Sequence, residues 1–256
     1  MNMSNRQIDS APKAMIAFRD ARIAVIDYGA GWLVVDKPCG MSIHNDPGSD
    51  LCSVVQDALR TGRLPAAGRD FFAMHAVHRI DRDTSGIVLL AGDSKMLAFF
   101  CGQFAAKAVH KQYLALVHGH LLGHAEEPDR GNWEWPLTTA EAGRNDPLGK
   151  GKRKACSTRW RVLERSLHYS LIECEPLTGR KHQIRRHAKL AGHPVVGDRR
   201  YGSVRSLAYL ARYRDFNRLG LHAHALTIRL PDESSTTTFR SGAMPEAMRQ
   251  LLEHDR

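Results

Sequence analysis

The chain has 256 residues, of which 43% are hydrophobic and 25% charged, an ordinary balance for a globular protein with a substantial core. Lysine and arginine outnumber aspartate and glutamate by 37 to 27, which gives a net charge of +10 and favours nucleic acid over an anionic membrane surface as partner. No apolar run approaches the roughly 20 residues of a membrane span, so we expect no membrane insertion.

The first half of the chain begins with polar residues that lack the apolar centre of a signal peptide. We predict an N-terminal tail over residues 1–18 and a single domain over residues 19–256. Apolar periodicity and turn residues then predict, in chain order, strands at 23–28 and 32–36, a turn at 37–41, a helix at 51–59, a buried strand at 87–91, a helix at 94–108 capped by Ser94, and a strand at 111–118.

The segment 78–86, HRIDRDTSG, places an acidic pair inside a basic turn that leads directly into the strand at 87–91. Arginines on both sides keep such a carboxylate ionised, and Gly86 permits a positive φ. On its own the segment fits a surface salt-bridge cluster better than a catalytic site.

The second half contains a stretch at 123–154 that is rich in glycine, proline and charge and predicts a surface loop insertion. Its basic end would attract phosphate or is simply solvated. The remaining predicted elements are a hairpin-like strand pair at 156–163 and 169–175, a helix from about Lys181 that stops at Gly192, strands at 221–228 and 236–240, and a helix at 245–253. The irregular order of strands and helices predicts an α+β fold with a mixed, largely antiparallel sheet.

The helix before Gly192 carries four polar side chains at i, i+3, i+4 and i+7: His182, Arg185, Arg186 and Lys189. This spacing places them on one helical face. We therefore predict a phosphate-binding surface there.

Metal-dependent hydrolysis is one possible function, because His75/His78 and His222/His224 have ligand-like spacing. The HExxH pattern is missing, however, and the five cysteines are scattered without a CxxC spacing. Such cysteines are typical of reduced structural thiols in a cytoplasmic protein, so we expect no metal and a cytoplasmic location.

A non-catalytic RNA- or DNA-binding protein is the second possibility, although no zinc-finger or RNP pattern is present. Asp81 discriminates between a binding module and an enzyme. A pure binder gains nothing from a carboxylate inside a positive surface, whereas an enzyme acting on nucleic acid can use it as nucleophile or base.

A third possibility follows from resemblance, because HRIDRDTSG closely resembles the HRLDxxTSG signature of the RluA-type pseudouridine synthases. Further stretches are similar to that family's motifs in the same order: 34–44, 111–119, 177–185, 193–202 and 221–223. The resemblance implies the pseudouridine synthase fold, with helices flanking the central sheet and an active-site cleft across it. Only about twenty residues precede the first motif, so we expect no N-terminal RNA-binding domain of the ribosomal-protein type.

The resemblance implies an enzyme that isomerises uridine to pseudouridine in structured RNA, either a tRNA stem-loop or an rRNA hairpin, without a cofactor. It makes Asp81 the catalytic carboxylate, Arg180 its ion-pair partner and Tyr113 a residue against the uracil face. Whether Asp81 acts on the sugar or on the base stays open.

The target base must leave its stack, and we expect Arg79 to enter the vacated space. We expect the protein to act as a monomer. The other predicted RNA contacts are His78, Lys37, Arg82, Lys111, Lys152, Arg153, Lys154, Lys181, His182, Arg185 and Arg186.

Overall fold

The computed structural model describes residues 6–8, 11–64, 73–140 and 142–255. The chain divides into two compact units, the first combining Met1–Lys111 with Ala223–Gly242 and the second combining Gln112–His222 with Ala243–Arg256. The single domain expected over residues 19–256 stays a prediction. Across the described ranges, no helix is long and apolar enough to cross a membrane.

The strands and helices follow one another irregularly, which confirms the predicted α+β class. The strands are β1 (Arg6–Ile8), β2 (Ala14–Phe18), β3 (Ala21–Gly29), β4 (Trp32–Lys37), β5 (His75–Ala76), β6 (Ser85–Ala91), β7 (His110–His118), β8 (Arg130–Trp133), β9 (Leu137–Thr138), β10 (Arg153–Lys154), β11 (Thr158–Arg165), β12 (Tyr169–Pro176), β13 (Leu221–Arg229) and β14 (Thr236–Arg240). The helices are α1 (Leu51–Arg60), α2 (Ser94–Ala105), α3 (Gln183–Leu190), α4 (Val204–Tyr213) and α5 (Glu246–Glu253).

The sheet of the first unit has the order β2-β3-β4-β6-β13, with β5 on β6 and β14 on β13. All seven residues of β6 are buried, and their side chains alternate between two apolar clusters. Val88 and Leu90 join the cluster covered by α1, whereas Ile87 and Leu89 join the cluster that holds Phe100 of α2. The strand that follows the HRIDRDTSG segment is therefore anchored on both faces.

The N-terminal residues differ from the predicted tail wherever the structure describes them. β1 pairs in parallel with β14, and β2 pairs with β3. Ile8 and Ile16 are buried in these strands, and their burial accounts for the order. The prediction of a tail is wrong for these residues. The predicted cap of α2 is also displaced by one position, because the carboxylate of Asp93 accepts the Met96 N–H at 2.8 Å.

The sheet of the second unit has the order β7-β12-β11-β8 and its paired strands are antiparallel. Ala115 and Val117 of β7 pack in a cluster with α3, whereas Leu114 and Leu116 pack in a cluster with α4 and α5. One face of this sheet therefore carries α3 and the other carries α4 and α5.

The stretch at 123–154 is more than the surface loop that was predicted. β8 extends the sheet beside β11, and β9 pairs with β10. Trp133 is buried, and its ring lies 5.8 Å from that of Trp160. This apolar contact explains why a segment dominated by glycine, proline and charge is nevertheless tied to the core.

Candidate active site

The loop that carries Asp81 lies between β5 and β6. The N–H of Thr84 donates to the carbonyl of Asp81 at 3.1 Å and closes a turn. Gly86 has φ +113°, and a Cβ there would lie 2.2 Å from the carbonyl oxygen of Ala223 on β13. Only glycine fits this approach, so the positive φ expected from the sequence is confirmed.

The turn after β4 holds the Asp81 loop through three further hydrogen bonds. The N–H of Gly40 donates to the carbonyl of Arg82 at 3.0 Å, and Nε of Arg82 donates back to the carbonyl of Gly40 at 2.9 Å. The thiol of Cys39 donates to the carbonyl of Asp83 at 2.9 Å. The backbone on the C-terminal side of Asp81 is therefore fixed.

Lys37 is buried and reinforces the same loop from inside. Its ammonium donates to the carbonyls of Pro38, Met41 and Arg82 at 2.9, 2.7 and 3.0 Å, which uses all three of its protons. Burial lowers the pKa of Lys37 to about 8, although neighbouring carboxylates, including Asp81, act in the opposite direction. The predicted RNA contact of Lys37 is wrong, because the side chain has no surface with which to reach a phosphate.

His78 supports the loop from its N-terminal side. Its Nε2 accepts the N–H of Leu89 at 3.1 Å, and its ring stacks on Phe104 with centroids 5.2 Å apart. Burial, assisted by the charge of Lys111, lowers the pKa of His78 to about 3. The ring is neutral at pH 7 and offers no positive charge to a phosphate, and its contact with RNA stays a prediction.

Two arginines of the HRIDRDTSG segment, Arg79 and Arg82, are exposed. Arg79 forms no hydrogen bond or ion pair with any residue that the structure describes, its neighbour Asp83 included. Arg79 and Arg82 can therefore meet a polyanion from the solvent side.

Lys111, another predicted RNA contact, is half-buried, and burial lowers the pKa of its ammonium group.

A cavity of about 320 Å³ opens beside the Asp81 loop within the first unit. Arg19 and Arg82 line it together with the ring of Phe18. The hydroxyl of Ser42 also lies in its wall, is buried, and has no hydrogen-bond partner among the described residues. The carboxylates of Asp20 and Asp46 also line it, so the cavity combines both signs of charge with an aromatic ring and an unsatisfied hydroxyl.

Tyr113 and Arg180 lie in the second unit. Tyr113 on β7 pairs with Cys174 on β12, and its half-buried ring packs against the cluster that contains Ile184 of α3. Arg180 lies in the turn before α3, where its N–H donates to Oε1 of Gln183 at 3.0 Å and its Nη2 donates to the carbonyl of Ala155 at 3.4 Å.

The Nε of Arg180 is buried and has no hydrogen-bond partner in the described part of the chain. A buried donor that stays unpaired is costly, and most such groups find an acceptor. This atom can therefore receive an anionic group that is not accounted for within the second unit.

Arg185 is not available to RNA, contrary to the prediction. Its Nε and Nη2 donate to the two carboxylate oxygens of Asp198 at 2.7 and 2.9 Å, and the side chains are 6% and 0% exposed. The Asp198 carboxylate also accepts the N–H groups of Arg200 and Tyr201. This buried pair fixes α3 to the loop that follows it.

Arg186 is likewise structural rather than RNA-binding. It is 1% exposed, and its guanidinium donates to the carbonyls of Thr138, Pro147 and Leu148 at 2.8, 2.6 and 2.5 Å. The side chain therefore holds the stretch at 123–154 onto α3.

The remaining side chains that were predicted to contact RNA are at least partly exposed to solvent. Lys152, Arg153, Lys154 and Lys181 are exposed. His182 is half-buried, with Nδ1 2.9 Å from the hydroxyl of Tyr201. Among the described residues, no group of three or more His, Cys, Asp or Glu side chains could hold a metal ion.

The family model described as RNA pseudouridylate synthase matches residues 31–190. The chain belongs to this family. The resemblance to RluA-type pseudouridine synthases is thereby confirmed.

Several relatives support the family assignment. Ribosomal large subunit pseudouridine synthase C of Haemophilus ducreyi is 39% identical over 201 residues, which cover 78% of this chain and 59% of that protein. Uncharacterized RNA pseudouridine synthase YlyB of Bacillus subtilis is 34% identical over 223 residues, which cover 87% of this chain and 69% of that protein. The chain spans less than two thirds of the length of the first of these relatives.

Two solved structures share the fold of the family. Human RNA Pseudouridylate Synthase Domain Containing 1 is 25% identical with a TM-score of 0.63, covering 94% of this chain and 86% of that one. Human RNA Pseudouridylate Synthase Domain Containing 4 has a TM-score of 0.67 at 24% identity, and the match covers 90% of this chain and 91% of that one. The predicted pseudouridine synthase fold is confirmed.

The sequence did not reveal the residues whose hydrogen bonds fix the backbone of the site loops. Gln183 donates to the carbonyl of Ser157 and accepts from Thr178, and so shapes the turn of Arg180. Cys39 was assigned only as a structural thiol. Cys39 lies in the turn at 37–41, directly after a buried strand, and this position was the available signal that its thiol can bond to a neighbouring loop.

Proposed function

We propose that this protein isomerises uridine to pseudouridine in structured RNA, with Asp81 as the catalytic carboxylate. The observation that carries the proposal is the fixed loop of Asp81, which buried Lys37 and the reciprocal Gly40–Arg82 hydrogen bonds hold in place. Membership of the RNA pseudouridylate synthase family supports the reaction. A carboxylate fixed in this way meets the need of catalysis for a preorganised group.

The proposed reaction breaks the bond between C1′ and N1 of uridine and forms a bond between C1′ and C5. A proton leaves C5 and a proton is taken up at N1, so nothing is oxidised or reduced. The Asp81 carboxylate can stabilise the positive charge that develops on the sugar as the glycosidic bond breaks. The atoms balance without a cofactor.

Arg180 and Tyr113 complete the proposed site. The buried Nε of Arg180 lacks a partner in the described residues and is open to an anionic acceptor. The family motif is what assigns the Asp81 carboxylate as that acceptor. Tyr113 would lie against the uracil ring, where an aromatic face suits stacking. A tyrosine hydroxyl in its unperturbed state is a poor base at pH 7, so we assign Tyr113 to contact rather than to proton removal.

The flipped uridine leaves a gap in the RNA, and we assign Arg79 to that gap. Its exposed guanidinium, without an ion pair among the described residues, can stack on the neighbouring bases while its charge meets a phosphate. We propose a hairpin of large-subunit ribosomal RNA as the target, supported by the names of relatives such as that of Haemophilus ducreyi. We further propose a cytoplasmic location, which the five free cysteines support, and a monomeric state.

The proposal is tested by comparing Asp81→Asn with Asp83→Asn, since both carboxylates lie in one turn and are half-buried. Large-subunit ribosomal RNA is incubated with each variant, and pseudouridine is read by carbodiimide labelling and primer extension. Asp81→Asn should reduce the rate by at least about 10³-fold while RNA binding is retained, as expected when an essential reacting group is removed. Asp83→Asn should retain most of the activity. Turnover by Asp81→Asn near the rate of the wild type contradicts the assignment.

A further inference from the structure

Helix α4 carries an exposed basic and aromatic face outside the predicted RNA contacts. Leu210 of α4 is buried against the second unit, whereas Tyr209 and Tyr213 are 43% and 62% exposed. Arg205 and Arg212 on the same helix are also exposed. The helix contains no acidic residue, so the face attracts an anion.

The aromatic and guanidinium groups of this face form a continuous platform. The rings of Tyr209 and Tyr213 lie 5.4 Å apart. Arg212 lies over the ring of Tyr213 at 5.3 Å, and Arg214 lies over the ring of Tyr209 at 5.8 Å. Arg214 is held in this position by donating to the hydroxyl of Tyr209 and to the carbonyl of His254. The platform is therefore ordered before any partner binds.

A cavity of about 540 Å³ adjoins the platform between α4 and α5, both in the second unit. Arg212, Tyr213 and Arg214 line the cavity as well as the platform, and Gln250 and His254 line its other side. Gln250 and His254 are exposed; the amide nitrogen of Gln250 donates to Glu246 at 2.8 Å, which leaves its amide oxygen and the His254 ring for the edge of a base. The cavity also contains one carboxylate, Asp215, beside the two arginines, so the site offers an aromatic surface, an excess of cations and base-edge partners together.

These features match single-stranded nucleic acid better than duplex. Unpaired bases expose their faces for stacking on tyrosine, and arginine contributes both stacking and phosphate contacts. In a duplex the base faces are covered by their neighbours. Surface tyrosines that served only to stabilise the helix would not require arginines at both ends of the stack.

We propose that the α4 platform is a second RNA-binding surface that takes an unpaired segment of the substrate RNA, with bases stacked on Tyr209 and Tyr213 and one nucleotide in the adjoining cavity. The choice of RNA over DNA rests on the proposed function. The surface itself requires only an unstacked, anionic strand.

The test uses a fluorescein-labelled oligouridylate of about 12 nucleotides, long enough to cover one single-strand site. Its affinity is measured by fluorescence anisotropy for the full chain and for Tyr209→Ala/Tyr213→Ala. Removal of two stacking faces should weaken binding by about 10-fold to 100-fold. Tyr209→Phe/Tyr213→Phe should restore most of the affinity, because the ring faces remain. Leu122→Ala/Leu163→Ala removes exposed apolar surface elsewhere in the second unit and should leave binding unchanged.

A second measurement locates the contact. The same oligonucleotide carrying 4-thiouridine is crosslinked by light, and the protein is cleaved with trypsin. Crosslinked Tyr209 should appear in the peptide bounded by Arg205 and Arg212. Unchanged affinity of the double alanine variant, together with no crosslink in this peptide, overturns the proposal. Self-association of the wild type that the double alanine variant loses, with RNA affinity unaltered, also overturns it in favour of a protein interface.

The two proposals fail separately. Binding and crosslinking do not depend on turnover, so an inactive Asp81 site leaves the α4 result intact. Normal RNA binding and crosslinking by a protein that forms no pseudouridine would refute only the proposed function. Normal affinity of the double alanine variant in a protein that does form pseudouridine would refute only the α4 platform.

Discussion

Asp81 depends on the groups that hold the backbone beside it. Lys37 satisfies the carbonyl of Arg82 from inside the unit, and His78 accepts a backbone N–H of β6 on the other side of the loop. Neither side chain is spare for binding RNA. A carboxylate placed by buried partners keeps its position when the substrate arrives, which lowers the reorganisation that catalysis would otherwise require.

The neutral state of His78 makes the stability of the first unit sensitive to acid. Its pKa is about 3 in the folded protein and near 6.5 when exposed, so between these values the unfolded chain binds a proton that the folded chain does not. The free energy of unfolding should therefore fall as pH drops from 6.5 towards 3, with a contribution of up to about 1.4 kcal/mol per pH unit from this group. Urea denaturation at several pH values measures that slope.

The matched variant is His78→Gln, whose amide oxygen can accept the N–H of Leu89 but does not titrate in this range. Its stability should fall less steeply than that of the wild type below pH 6.5. Burial also lowers the pKa values of His118 and His187, but these two histidines contribute equally to both proteins. Equal slopes would show that His78 is not buried in its neutral form.

The sequence identified which basic residues are present near the site, but it did not show which of them face water. Lys37, Arg185 and Arg186 were all expected to contact RNA and are all buried. Some of their partners are distant along the chain: Lys37 donates to the carbonyl of Arg82, 45 residues away, and Arg186 to that of Thr138, 48 residues away. The spacing of residues along a helix does not show which side chains are buried by distant segments. Arg79, by contrast, lies in a local turn and is exposed, as its proposed role requires.

At the level of elements, side chains of α3 bind two loops, the one that contains Asp198 and the stretch at 123–154. Arg185 joins it to Asp198, and Arg186 joins it to the carbonyls of the stretch at 123–154. The turn that carries Arg180 directly precedes this helix. The position of Arg180 therefore depends on both attachments.

Breaking the Arg185–Asp198 pair should destabilise the second unit strongly. Asp198→Asn leaves the guanidinium of Arg185 buried without its counter-charge, and we expect a loss of about 3–5 kcal/mol in the free energy of unfolding. Arg185→Met/Asp198→Asn should recover part of this loss, because no unpaired charge then stays buried. Urea denaturation of the single and double variants gives the coupling.

Lys181 provides the control for this pair, since it lies just before α3 and is exposed. Lys181→Ala should leave the unfolding free energy within about 0.5 kcal/mol of the wild type, as for most surface substitutions. If Asp198→Asn is equally harmless, the pair does not support the fold.

Elements with a strong local pattern were predicted well, and those that depend on distant pairing were not. The strand at 236–240 and the helix at 51–59 agree with β14 and α1 to within one residue. β1 has only three residues and exists because β14 lies beside it. Helix α4 was missed, although Ser203 caps it by accepting the N–H of Ser206, and this cap was its available signal.

For the whole molecule, the net charge of +10 divides into two kinds of basic residue. Buried arginines such as Arg185 and Arg186 are already neutralised or satisfied by the protein itself. The exposed group of Lys152, Arg153 and Lys154 meets only solvent on its outer side, and two of its members are held by the pairing of β10 with β9. This exposed group can release counterions when RNA binds.

Replacing these three residues together with glutamine should weaken RNA binding and flatten its dependence on salt. Each phosphate that the protein no longer neutralises lowers the slope of log affinity against log salt by about 0.7 on a single strand, so the triple replacement should lower it by about 2. Affinity for the substrate RNA is measured across a range of salt concentrations. Arg22→Gln/Lys95→Gln/Lys107→Gln removes the same charge from exposed positions of the first unit and controls for net charge. Equal slopes for the two triple variants would mean that the end of the 123–154 stretch acts only through the overall charge, whereas a change confined to the first variant places RNA phosphates against β10.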